Sequence, residues 1–316
     1  MSRYRKALPQ IRGGLFVTDG GIETALIFND GIELPDFAAF DLFRRSGGEI
    51  ALRRYYDGYV KIARQFGAGI VLESATWRAS ADWGDRLGYS RLDLEAANRR
   101  AIRLLEDIRD GQPEMVAVIS GCIGPRGDGY RPTQVMKAGE AQRYHGTQIE
   151  TFAGTAADMV TAITMNHAAE AVGIALAAKA AAMPVVISFT VETDGRLPTG
   201  QPLKEAILQV DAESGSYPSY YMLNCAHPEH FGRVLARDDA WTHRIRGLRA
   251  NASRKSHEEL NDSVELDIGD PVELGSYYAR LKRGALPMLG VLGGCCGTDH
   301  RHVQRIAAAC APLFAS

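Results

Sequence analysis

Met288-Leu289-Gly290-Val291-Leu292-Gly293-Gly294-Cys295-Cys296-Gly297-Thr298-Asp299-His300 is an apolar run that breaks on glycines and leads into a helical pattern, His300 to Ala311. A strand, a tight turn and a helix make the repeating unit of a parallel sheet with crossover helices. That unit recurs along the whole chain. Strand-like runs lie at Leu15 to Thr18, Gly69 to Glu73, Met115 to Gly121, Met159 to Ile163, Val185 to Thr190, Tyr220 to Asn224, Ile245 to Ala250 and Met288 to Gly293. Helix patterns with charged faces fall at Gly48 to Phe66, Leu92 to Asp110, Glu140 to Ala156, His167 to Ala182, Pro202 to Ser214, His227 to Ala236, Pro271 to Lys282 and His300 to Ala311. Eight strand-helix units predict a (β/α)8 barrel, a single domain over residues 1–316. The alternative is an open doubly wound sheet, but no G-x-G-x-x-G follows the first strand to support it.

The 316 residues, 46% hydrophobic and 23% charged, are enough to bury a full core. A formal charge of −2 offers no basic field for nucleic acid. The longest apolar stretch, Ala168 to Phe189, is interrupted by Glu170, Lys179 and Pro184, so no membrane partner is expected. Self-association into a homo-oligomer is left open. Five cysteines, with no secretory apolar segment behind Met1-Ser2-Arg3-Tyr4-Arg5-Lys6, point to a reducing cytoplasm, where thiols hold metal rather than form disulfides.

Barrel chemistry collects after the C-terminal ends of the strands. In order these positions read Asp19-Gly20-Gly21, Glu73-Ser74, Gly121-Cys122, Ile163-Thr164, Thr190-Val191-Glu192, Asn224-Cys225, Asn251-Ala252-Ser253 and Gly294-Cys295-Cys296. Cys225, Cys295 and Cys296 would thus meet on one rim. Adjacent thiols rarely close a relaxed disulfide, whereas on a glycine turn both can face one Zn²⁺. Three thiolates donate so much charge that the metal activates water poorly, yet a fourth sulfur is still deprotonated on binding. The reaction class that follows is alkyl transfer to a thiol, with no catalytic residue beyond the zinc-activated thiol itself. Cys310, in the Ala-rich tail, reads as a buried structural thiol, and Cys122 as either buried or pocket-lining.

Together Asp19-Gly20-Gly21-Ile22-Glu23-Thr24, Ser120-Gly121-Cys122-Ile123-Gly124-Pro125, Ser188-Phe189-Thr190, Asn224-Cys225 and Gly293-Gly294-Cys295-Cys296-Gly297-Thr298 resemble the homocysteine S-methyltransferase family, over nearly the whole chain. The resemblance implies a zinc-dependent barrel that methylates homocysteine to methionine, with Cys225, Cys295 and Cys296 as zinc ligands. It also implies that Asp19 helps bind the amino group of the amino-acid substrate. Gly20, Gly21, Glu73, Thr164, Glu192 and Asn224 are the further candidate substrate contacts. The family's acidic residue at the end of the fourth strand, in a Glu-Thr pair, falls here on Ile163. Its loss would cost an ammonium-bearing substrate about 1.5–3 kcal/mol unless another acid, Glu73 or Glu192, replaces it. The expected partners are a small thiol acceptor and a sulfonium or quaternary ammonium methyl donor such as S-methylmethionine or betaine. Trp77 and Trp83, in an aromatic loop at the rim, are candidates to hold such a cation by cation-π attraction.

Other assignments remain open at this level. His227, His300 or His302 could complete a closed zinc site, although each lies at or near a helix start. Asp19 could merely shape its turn, Glu73 could pair with Arg78, and the tryptophans could simply pack under a loop. A different thiol acceptor, a methylated corrinoid protein as donor, a demethylase, and a non-catalytic zinc or thiol-binding barrel are the rival functions.

Overall fold

Short apolar runs become neighbouring parallel strands because each is buried on both faces and needs a partner on both edges. The computed structural model describes residues 1–132, 135–235, 239–263 and 265–314. Its strands are β1 (Phe16–Val17), β2 (Gly69–Glu73), β3 (Ala117–Ile123), β4 (Met159–Met165), β5 (Val185–Phe189), β6 (Tyr220–Asn224), β7 (Ile245–Ala250) and β8 (Val291–Gly294). They form a closed parallel barrel in sequence order, and β1 pairs with both β2 and β8. The helices are α1 (Gly48–Gln65), α2 (Ala81–Arg86), α3 (Arg91–Asp110), α4 (Ala138–Ala153), α5 (Ala168–Ala180), α6 (Leu203–Ser214), α7 (Pro228–Phe231), α8 (His257–Asn261), α9 (Pro271–Arg283) and α10 (His300–Cys310). The expected (β/α)8 barrel is thus the observed one.

Three local expectations are corrected. The helix read at His227 to Ala236 shrinks to α7 and a 3-10 turn, Gly232–Val234, because Gly232 follows the first turn; Ala236 lies outside the described residues. The short helix α2 overlaps the stretch read as an aromatic loop, and α8 lies where no helix is expected. β1 is shorter than its apolar run, although Phe16 N and Thr18 N still donate to Gly290 and Leu292 carbonyls at 2.8 Å each.

Alternation along the strands divides the core in two. Phe16, Val71, Val118, Met159, Val186, Tyr220, Met222 and Val291 fill the barrel's interior and are joined by Leu8 from the N-terminal segment. Their neighbours, among them Val17, Ile70, Leu72 and Ile119, pack outward with the helices. The N-terminal segment is locked by Asp158, fully buried just before β4. Its Oδ1 accepts from Arg3 N and Tyr4 N at 2.7 Å each, and its Oδ2 from Ile119 N at 2.9 Å. The apolar floor leaves the opposite rim for polar chemistry. No helix among the described residues is long and apolar enough to cross a membrane.

Removing the Asp158 carboxylate leaves buried backbone donors without acceptors and frees the segment that carries Leu8. Asp158→Ala should lower stability by about 2–4 kcal/mol in urea unfolding. An unchanged midpoint would show that the floor closes without it.

Candidate metal centre

The three candidate ligands leave the barrel at the ends of β6 and β8. Cys225 has a left-handed backbone, φ 53°, and its N donates to Arg249 O at 3.1 Å. A non-glycine residue in that region is costly and marks a position held by its surroundings. Cys295 N donates to Ala250 O at 2.9 Å, and Thr298 returns to Cys295 O through its N at 3.1 Å and its Oγ1 at 2.6 Å. Gly297, φ 76°, closes this turn. A Cβ on Gly21 would strike the Cys295 carbonyl, so the Asp19-Gly20-Gly21 turn and the paired-cysteine turn rest backbone on backbone. Gly20 and Gly21 therefore shape the cysteine turn.

The sulfurs of Cys225, Cys295 and Cys296 all lie within 4.8 Å of one another. Cys296 Sγ is 4.0 Å from Cys225 Sγ, and the Cys225 and Cys295 sulfurs are in close contact, with Cα atoms 5.4 Å apart. That contact joins two strand ends that converge on the rim. Zn–S bonds of about 2.3 Å in a tetrahedron place sulfurs about 3.8 Å apart, close to the Cys225–Cys296 separation. The donor set fits zinc. Among the described residues, no histidine or carboxylate joins the three sulfurs. His227 caps α7, buried, and its ring is pushed down to about 4 by burial; His302 bonds Asp299 and Ile268 O, and His300 is exposed.

A polar shell holds these sulfurs. Asn224 Oδ1 accepts from Ser188 Oγ at 2.6 Å and Thr164 N at 2.9 Å. Its Nδ2 donates to Thr164 Oγ1 at 2.9 Å and reaches Cys295 Sγ at 3.9 Å. Thr164, also left-handed with φ 66°, has its hydroxyl 3.8 Å from Cys225 Sγ. Tyr130 OH lies 3.5 Å from Cys296 Sγ, and its ring packs 4.2 Å from the His257 ring. His257 bridges Cys225 O at 2.6 Å and Glu192 at 3.1 Å, so Glu192 supports the Cys225 turn. Cys296 is reached by solvent, yet the protein around it is dense enough that burial pushes its thiol up.

Behind the shell sits a group of buried charges. Arg249, on β7, pairs with Asp19 Oδ1 at 2.7 Å and donates to Gly20 O and Gly294 O at 3.1 Å each. Tyr55 OH donates to Asp19 Oδ2 at 2.8 Å. Asp19 thus has both oxygens engaged inside the protein. Burial pushes its carboxyl up, and Arg249 opposes that. Glu73 is buried with neither oxygen hydrogen-bonded, and desolvation pushes it up to about 7. It does not pair with Arg78. Glu23, half-buried, is also pushed up to about 7, by burial first and by the Asp19 charge. Cys122, one of the uncertain thiols, is buried beside these charges, and Cys310 is buried as expected.

Trp77 and Trp83 stand at the rim, but their faces are taken. The Arg78 guanidinium lies 4.0 Å from the Trp77 ring centroid and 3.6 Å from that of Trp83. A methyl-onium cation on those faces would meet a like charge. Beside the centre, a cavity of about 210 Å³ lined by His227, Ser253, Lys255 and Asp270 opens under the β7 loop, and none of the three cysteines lines it.

A family model described as homocysteine S-methyltransferase matches residues 16–310. The chain belongs to the homocysteine S-methyltransferase family. Among solved structures it is similar to the homocysteine methyltransferase MmuM from Escherichia coli. The oxidized form is 19% identical with a TM-score of 0.75, covering 95% of this chain and 99% of that one. The metallated form is 16% identical with a TM-score of 0.71, covering 93% and 96%. At these identities the likeness is one of fold. A search of curated sequences finds no significant match.

Arg249, Arg78, Tyr130, His257 and Glu23 are site residues that sequence reasoning did not single out. Glu23 lay inside a quoted motif and Arg78 inside the aromatic loop, read only as a possible partner of Glu73; arginine is so often a surface residue that Arg78 and Arg249 gave no signal of burial.

Glu73 gives this family member a pH signature. Its native value, about 7 against an ordinary 4.5, means that the native state holds the proton more tightly. That contribution is present below the ordinary value and is lost as pH rises to neutrality, by on the order of 3 kcal/mol. Glu73→Gln should therefore raise stability by about 1–3 kcal/mol at pH 8 and leave it nearly unchanged at pH 4. Urea unfolding at both pH values reads this; equal effects at the two would show that Glu73 does not titrate with folding.

Proposed function

We propose that this protein is a zinc-dependent S-methyltransferase that moves a methyl group from a sulfonium or quaternary ammonium donor to a thiol, homocysteine giving methionine. The observation that carries this reading is the meeting of Cys225, Cys295 and Cys296 on one rim, with no histidine or carboxylate among the described residues to close the set. Zinc held by three thiolates supplies deprotonation and orientation of a fourth sulfur. The protein's own residues do the rest. Asn224 and Tyr130 direct N–H and O–H groups at Cys295 and Cys296, which spreads the negative charge of the sulfurs. The left-handed turns at Thr164 and Cys225 hold the geometry before substrate arrives.

In the transfer, the acceptor sulfur attacks the methyl carbon as the donor's C–S or C–N bond breaks. The bonding pair stays on the donor, which leaves neutral, and the acceptor's thiol proton passes to solvent. A reducing cytoplasm suits this chemistry, because all three sulfurs must be free thiolates to serve as ligands.

Reduced protein should hold one zinc per chain and form methionine from homocysteine with S-methylmethionine or betaine. Cys296→Ser should lose both metal and turnover. Zinc-free wild type, or a Cys296→Ser protein that keeps metal and activity, would defeat the proposal. Asn224→Ala should weaken zinc binding by about 10–100-fold in competition with a chelator. Unaltered affinity would show that the Asn224 amide does not tune the sulfurs.

A further inference from the structure

Arg78 is a buried cation with an unfilled edge. Only 6% of its surface is exposed, and it forms no ion pair among the described residues. One guanidinium nitrogen, Nη1, donates to Gly127 O at 3.1 Å; Nε is buried without a partner. The rings of Trp77 and Trp83, 4.0 and 3.6 Å from the guanidinium carbon, fix its plane. Burial lowers its pKa only to about 10, so the charge persists at neutral pH. A buried guanidinium without a counter-ion is costly unless an anion completes it.

The loop that carries Arg78 reaches the strand end beside the sulfurs. Trp77 Nε1 donates to Ile163 O at 3.2 Å, at the end of β4, next to Thr164. Asp128 first, then Glu23 and Tyr130, whose hydroxyl faces Cys296, act electrostatically on Arg78 without pairing with it directly, and Glu23 acts on Cys296 as well.

We propose that Arg78 is a specificity-determining residue that receives a carboxylate of a substrate bound at the thiol centre. The planar fork suits a carboxylate, which can take two parallel N–H bonds. The nearby Glu23 repels a doubly charged oxyanion but suits a cationic nitrogen or sulfur, so the substrate class is a zwitterion. This rests on the methyltransferase proposal. The carboxylate belongs to either the thiol acceptor or the methyl donor, and binding experiments separate the two.

Reduced, zinc-loaded protein is titrated calorimetrically with homocysteine and with 3-aminopropane-1-thiol, which lacks only the carboxylate. S-methylmethionine and its decarboxylated sulfonium form the donor pair. One pair should differ by about 10–100-fold in Kd, and that pair identifies the source. Arg78→Gln should erase the difference, whereas Arg78→Lys should keep part of it. If neither pair differs in the wild type, or if Arg78→Gln weakens both members of a pair equally, the role is structural and the proposal is overturned. Zinc-loaded protein that binds no thiol overturns the methyltransferase assignment and this proposal together; thiols bound equally well with and without the carboxylate, alongside an unaffected donor pair, overturn this proposal alone.

Discussion

The Arg249 guanidinium is the interaction on which the rim depends. From β7 it grips the Asp19 carboxylate and Gly20 carbonyl after β1 and the Gly294 carbonyl at the end of β8. Three successive strands around the closure are thereby pinned by one rigid fork. The turn that presents Cys295 rests on the turn that Arg249 secures, so the sulfur cluster inherits its position from an ion pair. Breaking one partner of such a pair is far costlier than its net contribution suggests, because the other charge stays buried.

The barrel's polarity has a simple division of labour. Leu8 and the inward-facing strand residues make a dry floor, while the opposite rim concentrates Asp19, Glu23, Glu73, Arg78 and Arg249 within low-dielectric surroundings. In such surroundings charges act on each other strongly, and the two carboxyls poised near 7 keep the rim's net charge responsive around neutrality. Arg78 adds a permanent positive charge between two indole rings, which turns an aromatic loop suited to cations into one suited to anions.

The architecture is legible in the sequence because strands buried on both faces read as unbroken apolar runs. Tyr220–Asn224 and Ile245–Ala250 match their observed bounds for that reason. The sulfur cluster is legible because its chemistry resides in residue type and in the strand ends that topology brings together. The roles of neighbouring polar residues are not, since they depend on which partner is nearest after closure. Glu192, read as a spare acid for substrate, is committed to His257. Asn224 is committed to Thr164 and Ser188, and Trp77 and Trp83 to Arg78. Sequence order also says nothing of the close contact between the Cys225 and Cys295 sulfurs, which arises from convergence in space across 70 residues.

Closure of the sheet through β1 and β8 has a bearing on the order of events during synthesis. The strand made first waits for the strand made last, and contacts that distant in sequence form slowly. Two of the three sulfurs sit immediately after that final strand, on a turn that leans on residues near the start of the chain. A nascent polypeptide therefore carries Cys225 without its two partners over the 70 residues that separate it from Cys295, and a complete thiol triad exists only once β8 has closed onto β1.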